Sequence, residues 1–157
     1  MMLFKMSNAL DKLDSKILQK LMAEGRVTWA ELAGECGVSA PAIADRVKRL
    51  ERRGIISGYT VQLSANSLGY DITAFVAVSL DRPHHRQGFL DYVKAKAEIQ
   101  ECHHVTGKRD YLLKVRCPST KMLEQIISDE LKGVPGVTQT HTSIVLSTVK
   151  EGIALPI

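Results

Sequence analysis

The residues with the plainest chemistry lie between positions 45 and 53. There Asp45-Arg-Val-Lys-Arg-Leu-Glu-Arg-Arg53 sets five basic groups among two acidic ones. A stripe of guanidinium and ammonium groups at this density is what a phosphate backbone attracts, although a solvated helix face can carry a similar run. A second cluster is the turn Thr106-Gly107-Lys108-Arg109-Asp110. A zwitterion needs an anion for its ammonium, which Asp110 offers. It also needs donors for its carboxylate, which the bare backbone beside Gly107 offers. An ordinary solvated turn has the same composition. The pairs His84-His85 and His103-His104 invite a metal reading. Strand neighbours point to opposite faces, so each pair gives at most one ligand per side. Cys102 and His104 share a face and His141 could join from another strand, but no further ligand completes a site, and none is expected. No nucleophile constellation, phosphate-cradling glycine loop or HExxH motif is present. The chain is therefore read as a non-enzyme without a cofactor.

The elements that must position these groups follow from hydrophobic spacing. The chain has 157 residues, 45% of them hydrophobic, and 21 basic against 17 acidic side chains for a net charge of +4. That is enough for two small cores. Cys36, Cys102 and Cys117 are odd in number and scattered, against both a disulfide framework and a zinc knuckle. No segment reaches the roughly 18 apolar residues of a membrane span. The apolar start Met1–Met6 is too short for a signal peptide. The expected location is the cytoplasm, without membrane association.

Three helices read out of residues 10–53. The first carries Leu13, Ile17, Leu18 and Leu21 at helical spacing, with Asp11 as N-cap and Gly25 closing it. The second opens on Thr28 and Glu31 at capping-box spacing, buries Trp29, Leu32, Ala33 and Cys36, and ends at Gly37. The third starts at Ser39, tolerates Pro41 in its first turn, buries Ile43, Val47 and Leu50, and stops at Gly54. Ile55, Ile56 and Tyr59–Leu63 read as a hairpin around Ser57-Gly58, a small wing. Residues 64–71 are polar and turn-rich, a linker.

From residue 72 the pattern changes. Ile72–Leu80, Ile99–Val105, Tyr111–Arg116 and Val137–Val149 read as strands. Residues 86–97, with Phe89, Leu90, Val93 and Ala97 on one face, read as a helix. So do residues 119–132, with Leu123, Ile126, Ile127 and Leu131. The order βαββαβ is the ferredoxin-like arrangement, with both helices on one face of a single sheet. The fold class expected is α+β: a winged helix-turn-helix domain over 1–62, a linker over 63–71 and a βαββαβ domain over 72–157.

The second and third helices fit a helix-turn-helix. Ala33 is small where helices cross, and Gly37 suits the sharp turn. Burying Ile43, Val47 and Leu50 turns Pro41, Asp45, Lys48 and Arg52 outward, with Arg46 and Arg49 on the flanks. That face would enter the major groove of double-stranded DNA. Its N-terminal part, Ser39, Ala40, Pro41 and Ala42, offers thymine-methyl contact and one hydroxyl. Its charges, Arg46, Lys48, Arg49, Arg52 and Arg53, would grip phosphates, with Arg26 adding a contact from the preceding loop. Base specificity would be modest and helped by DNA shape.

The run LDKLDSKIL over 10–18, Glu31-Leu-Ala33, Gly37-Val-Ser39, and Arg46-Val-Lys-Arg-Leu-Glu51 through Gly54-Ile-Ile56 resembles the N-terminal domain of the Lrp/AsnC, or feast/famine, regulators. Thr106-Gly-Lys-Arg-Asp-Tyr-Leu-Leu113, Val134-Pro-Gly-Val137 and Thr140-His-Thr142 resemble that family's amino-acid-sensing domain. The resemblance implies a transcriptional regulator, a homodimer paired through C-terminal sheets and often assembled to an octamer, with amino-acid effectors between dimers. Carried over by position, the effector site is Thr106, Gly107, Lys108, Asp110, Leu112 and Ser143. Ser143 stands where some leucine-responsive members have a bulky aromatic, which implies a reshaped pocket or an effector-independent architectural protein. Sirohaem decarboxylases resemble the same fold, and that alternative would draw on His103, His104 and Arg109.

Overall fold

The computed structural model describes residues 10–157; the Met1–Met6 segment lies outside them. The chain divides into two units, Met1–Gln62 with Gly152–Ile157, and Leu63–Glu151.

In the first unit the three helices are α1 (Lys12–Ala23), α2 (Trp29–Cys36) and α3 (Ala40–Arg52). Each begins where a side chain can satisfy an orphan amide. Asp11 Oδ1 accepts the Asp14 N–H at 2.7 Å. Thr28 Oγ1 accepts the Glu31 N–H at 3.2 Å while Glu31 accepts the Thr28 N–H at 2.7 Å, the reciprocal box. Ser39 Oγ accepts the Ala42 N–H at 3.4 Å. Caps of this kind contribute about 1 kcal/mol each. Gly37, at φ 69° and ψ 32°, supplies the left-handed residue that turns the chain from α2 into α3. Ile17, Val27, Leu32, Ala33, Ile43 and Val47 form the core. Trp29 departs from the expected apolar face and is 38% exposed. It is the first residue of α2, where the helix has yet to reach the core.

The expected wing is absent: no strand forms over 55–63. The amides of Ile55 and Ile56 both donate to Leu50 O, closing the end of α3, so they are unavailable to a hairpin ladder. Tyr59, Val61 and Leu63 are exposed and offer no buried face to pair upon. A lone two-stranded hairpin is marginal without one.

The second unit runs β1 (Ile72–Leu80), α4 (Arg86–Ala95), β2 (Ile99–His104), β3 (Tyr111–Cys117), α5 (Thr120–Glu124) and β4 (Val137–Ile144). Past Glu124 the helix widens into π-helical turns over Gln125–Glu130 and ends in a tight turn at Leu131–Gly133. The wider turn stacks Ile126 and Leu131, five apart and both wholly buried. The sheet order is β2-β3-β1-β4 and every pairing is antiparallel, the expected ferredoxin-like topology. Ala74, Val76, Val78, Tyr111, Leu113 and Val115 pack with Phe89 and Val93 of α4 and Leu123 and Ile126 beyond it. Both helices therefore cover the same face.

Two expected lengths were too long. β4 stops at Ile144, not Val149, because its partner β1 runs out at Ile72; the amide of Val145 makes a last bond to Thr73 O. α4 stops at Ala95, because Lys96 is extended, and Ala97 is exposed instead of lying on the helix's inner face. The turn before β4 is fixed by close approach. A Cβ on Gly136 would stand 2.3 Å from the Cβ of His85, just ahead of α4.

Two glycine substitutions should therefore differ in cost. Gly37→Ala should destabilise by about 1–2 kcal/mol, the strain of a left-handed alanine. Gly136→Ala adds displacement of His85 to similar strain at φ 88° and should cost clearly more. Urea unfolding of the two variants measures the order.

Candidate nucleic-acid interface and sensing turn

α3 is the most strongly two-sided of the helices. Ile43, Val47 and Leu50 are buried along one stripe. Pro41, Asp45, Lys48 and Arg52 are exposed opposite it. Lys48, Arg52, Arg53 and the loop residue Arg26 make no ion pair among the described residues. Ser39 is exposed but engaged as the cap, and Ala40 and Ala42 are half-buried.

Arg46 and Arg49, expected on the flanks of that face, meet acidic side chains near the start of α1. Arg46 Nη1 lies 2.5 Å from Asp11 Oδ2 and 2.8 Å from Asp14 Oδ1. Arg49 reaches the same Asp14 oxygen at 3.4 Å. The Arg46 guanidinium holds the Asp11 carboxyl below the usual carboxylate range, helped by the Asp14 amide. Asp11, then Asp14, raises Arg46 in turn. Asp14 is the one charged residue that is fully buried among the described residues. Sequence reasoning took α1 as a simple apolar stripe and missed this role. The signal was there, since Asp14 falls three and four residues before Ile17 and Leu18, on the buried side, where an ionised group requires a partner.

The sensing turn lies beyond β2 and leads into β3. Asp110 is half-buried and already bonded: its N–H donates to Val78 O, its carbonyl accepts the Val105 N–H, and its Oδ2 accepts the Leu80 N–H at 2.8 Å. These bonds stitch the turn to the end of β1. Thr106, Gly107 and Lys108 are exposed at the tip. Leu112 pairs with Ala77, and Ser143 pairs with Phe75 from the other side of β1. Both therefore lie on the sheet face without helices. Of the six expected residues, only Asp110 lines the cavity of about 340 Å³ beside the turn, with Leu80, Asp81, Arg82, Pro83, Arg86, His104 and Tyr111. The loop residues of that set were not singled out from sequence. Asp81 is held below its ordinary value by His85, whose Nδ1 is 2.7 Å away.

The histidine readings separate in space. His103 lies on the open face beside Glu101 at 3.2 Å, whereas His104 stacks on Tyr111 with centroids 5.0 Å apart. Arg109 hydrogen-bonds Gln139. The three do not converge on one surface. Cys102 pairs with Leu113, on the helix-bearing face, and His141 pairs with Ala77, on the open face, so His141 does not join Cys102 and His104. No group of three metal-ligating side chains occurs among the described residues.

The open face itself carries Phe75, Lys114, Arg116 and Glu101, in register across β1, β3 and β2. Glu151, from the segment after β4, bonds Lys114 and reaches Arg116 at 3.1 Å. Lys114, then Arg116, holds Glu151 below its ordinary value.

Residues 10–51 match the AsnC-type helix-turn-helix domain, and residues 73–155 match the Lrp/AsnC ligand binding domain. The leucine-responsive regulatory protein of Escherichia coli (strain K12) is 39% identical over 150 residues, spanning 94% of this chain and 92% of that protein. A transcriptional regulator from Neisseria meningitidis in complex with L-methionine superposes with a TM-score of 0.91 at 34% identity, covering 94% of this chain and 97% of that one. Escherichia coli AsnC gives a TM-score of 0.87 at 30% identity over 93% and 98%. The feast or famine regulatory protein of M. tuberculosis complexed with L-methionine gives 0.84 at 32% over 91% and 96%.

The division of charges on α3 is measurable. Replacing Lys48 and Arg52 together with Ala should lower the salt dependence of DNA binding by roughly two units of slope, about one per lost phosphate contact. Fluorescence anisotropy across a salt series reads it, and an unchanged slope would remove this face from the interface.

Proposed function

The chain belongs to the Lrp/AsnC family of transcriptional regulators, and from that premise we propose that it reads double-stranded DNA with α3 as a homo-oligomer, in the cytoplasm, under control of a free amino acid. The observation that carries the DNA reading is the sorting of charge on one helix. Arg46 is engaged by Asp14 at 2.8 Å, while Arg49, with 46% of its side chain exposed, reaches the same oxygen at 3.4 Å. Lys48 and Arg52 remain exposed on the outer face, with Pro41 and Asp45 nearer the end that reaches base edges. No helix among the described residues is long and apolar enough to cross a membrane. The three cysteines are unpaired, which agrees with a reducing compartment.

Assembly is supported by the sheet. Phe75 is 39% exposed at the middle of β1, on the face without helices. A second copy of the same face is the self-complementary cover that a two-fold dimer requires, and the family implies further assembly to an octamer. Two tethered reading heads then bind through effective concentration. Phe75→Asp places a charge at the centre of that cover. It should shift the protein toward monomer at micromolar concentration in light scattering and weaken DNA binding, with the second unit still folded by circular dichroism. A dimer unchanged by this substitution would place the interface elsewhere.

The effector site proposed is the turn Thr106, Gly107, Lys108 and Asp110 with Leu112 and Ser143. The two relatives bound to L-methionine make that amino acid the first ligand to test. One carboxylate oxygen of Asp110 serves Leu80, which leaves the other for an ammonium group. Asp110→Asn keeps an oxygen for Leu80 while removing the charge. It should weaken amino-acid binding by about 1.5–3 kcal/mol, the worth of a charge-assisted bond, and spare ligand-free DNA binding. Calorimetry with all twenty amino acids, on wild type and variant, measures it. Equal binding by both moves the site; no binding by wild type marks an effector-independent regulator.

A further inference from the structure

Arg46 stands three residues after Ile43 and four before Leu50, both wholly buried, so helical geometry turns it toward the inner side of α3. There it meets Asp14 at 2.8 Å and Asp11 at 2.5 Å. Only 2% of Asp14 is exposed. Asp11 is itself pinned as the cap of α1, its other oxygen 2.7 Å from the Asp14 amide. Arg49 adds a longer contact to the same Asp14 oxygen at 3.4 Å, and the two helices otherwise share the apolar core of Ile17, Ile43 and Val47. Apolar burial is non-directional, so the buried stripe confines α3 to small rotations about its axis without selecting among them. A guanidinium held by two fixed carboxylates has a defined direction.

We infer that Asp14, together with Asp11, is a positioning residue for DNA reading: acting through Arg46, it fixes the fine rotation of α3 that the buried stripe of Ile43, Val47 and Leu50 sets only coarsely, and so how the outward side chains meet the groove. This rests on the reading of α3 as the DNA-facing helix. Arg46 contributes to specificity without touching phosphate, and a rotated α3 would carry Pro41, Asp45, Lys48 and Arg52 off the groove together.

The sign of one substitution separates this from direct phosphate contact. Asp14→Asn removes a negative charge and loosens two arginines. If those arginines served phosphates, DNA binding would tighten. If they hold α3 in place, binding to a preferred site weakens. The test uses the full chain, a duplex enriched from a random library, and an unrelated duplex of equal length, over a salt series. Asp14→Asn should weaken binding to the enriched duplex roughly tenfold and to the unrelated duplex less than about threefold, with the salt slope changed by under about half a unit. Arg46→Gln should behave the same way. Arg46→Lys, whose ammonium still meets the carboxylates, should recover most of the affinity. Asp14→Asn and Arg46→Lys each retain a hydrogen-bonding group, so they serve if Arg46→Gln does not fold. Equal or tighter binding by Asp14→Asn, or a slope lowered by about one in Arg46→Gln, overturns the inference. If the Lys48/Arg52 double variant also binds DNA as wild type does, the reading of α3 falls and this inference with it. If that variant is impaired while Asp14→Asn is not, positioning alone is wrong.

Discussion

Burying the carboxylate of Asp14 is the constraint from which the first unit follows. An ionised group out of water costs several kcal/mol unless a cation and hydrogen bonds meet it. Arg46, Arg49 and the cap geometry at Asp11 supply them, and no buried side-chain nitrogen or oxygen among the described residues is left without a partner. Arg46 and Arg49 keep 26% and 46% of their side chains exposed, so solvent screens the pair from the cation side and its worth lies below that of a fully buried pair. The core beside it is small, eight buried apolar residues with Leu18 and Leu50 counted, so the pair weighs heavily in how the helices meet. It also partitions the basic stripe: cations on the inner edge of α3 hold the fold, and those on the outer edge stay available to a polyanion.

The second unit has a complementary problem. Its helices cover one sheet face, leaving Phe75 beside a row of charges on the other. Those charges are already matched: Lys114 with Glu101 at 3.1 Å and with Glu151, and Arg116 with Glu151. Matching within one subunit matters if a second copy covers the face, because an unpaired cation would oppose burial there. Glu151 comes from beyond β4, two residues past the strand end expected at Val149, so the chain after the last strand carries a counter-charge back to the sheet.

Most of the architecture was legible because it follows from local rules. The caps at Asp11, Thr28 and Ser39, the turn at Gly37, and all four strands and both crossover helices of the second unit come from residue type and period. What was not legible depended on competition for groups. The wing failed because the amides of Ile55 and Ile56 were claimed by Leu50. β4 was overextended because its own alternation could not reveal that β1 ends at Ile72. The ion pair of Arg46 with Asp11 and Asp14 was not legible either, because it joins residues more than thirty positions apart, although spacing from Ile43 and Leu50 puts Arg46 on the flank of the outward face. In the sensing turn, Asp110 was identified as an anion, but its bond to Leu80 and the neighbouring cavity wall at Leu80–Arg86 are long-range facts that no spacing expresses.

The separation of the proposed sensing residues carries a thermodynamic consequence. Thr106, Gly107 and Lys108 sit at an exposed tip, Leu112 on β3 and Ser143 across β1 on β4. Leu112 and Ser143 lie two strands apart across β1, roughly 10 Å at ordinary strand spacing, wider than the reach from an amino acid's ammonium to its carboxylate. If these residues do form one site, surfaces from neighbouring subunits must complete it, and its affinity then depends on which assembly is present. A ligand can shift an equilibrium only by its differential affinity for the two states. Binding and assembly are therefore reciprocally linked: whatever stabilises one assembly changes ligand affinity by the same factor that ligand changes assembly. DNA enters the same cycle, because tethered reading heads require an oligomer whose geometry matches the spacing of their sites. On this arrangement the effector has no need of a path of side chains from the turn to α3. Competition between assemblies that present the reading helices differently is sufficient.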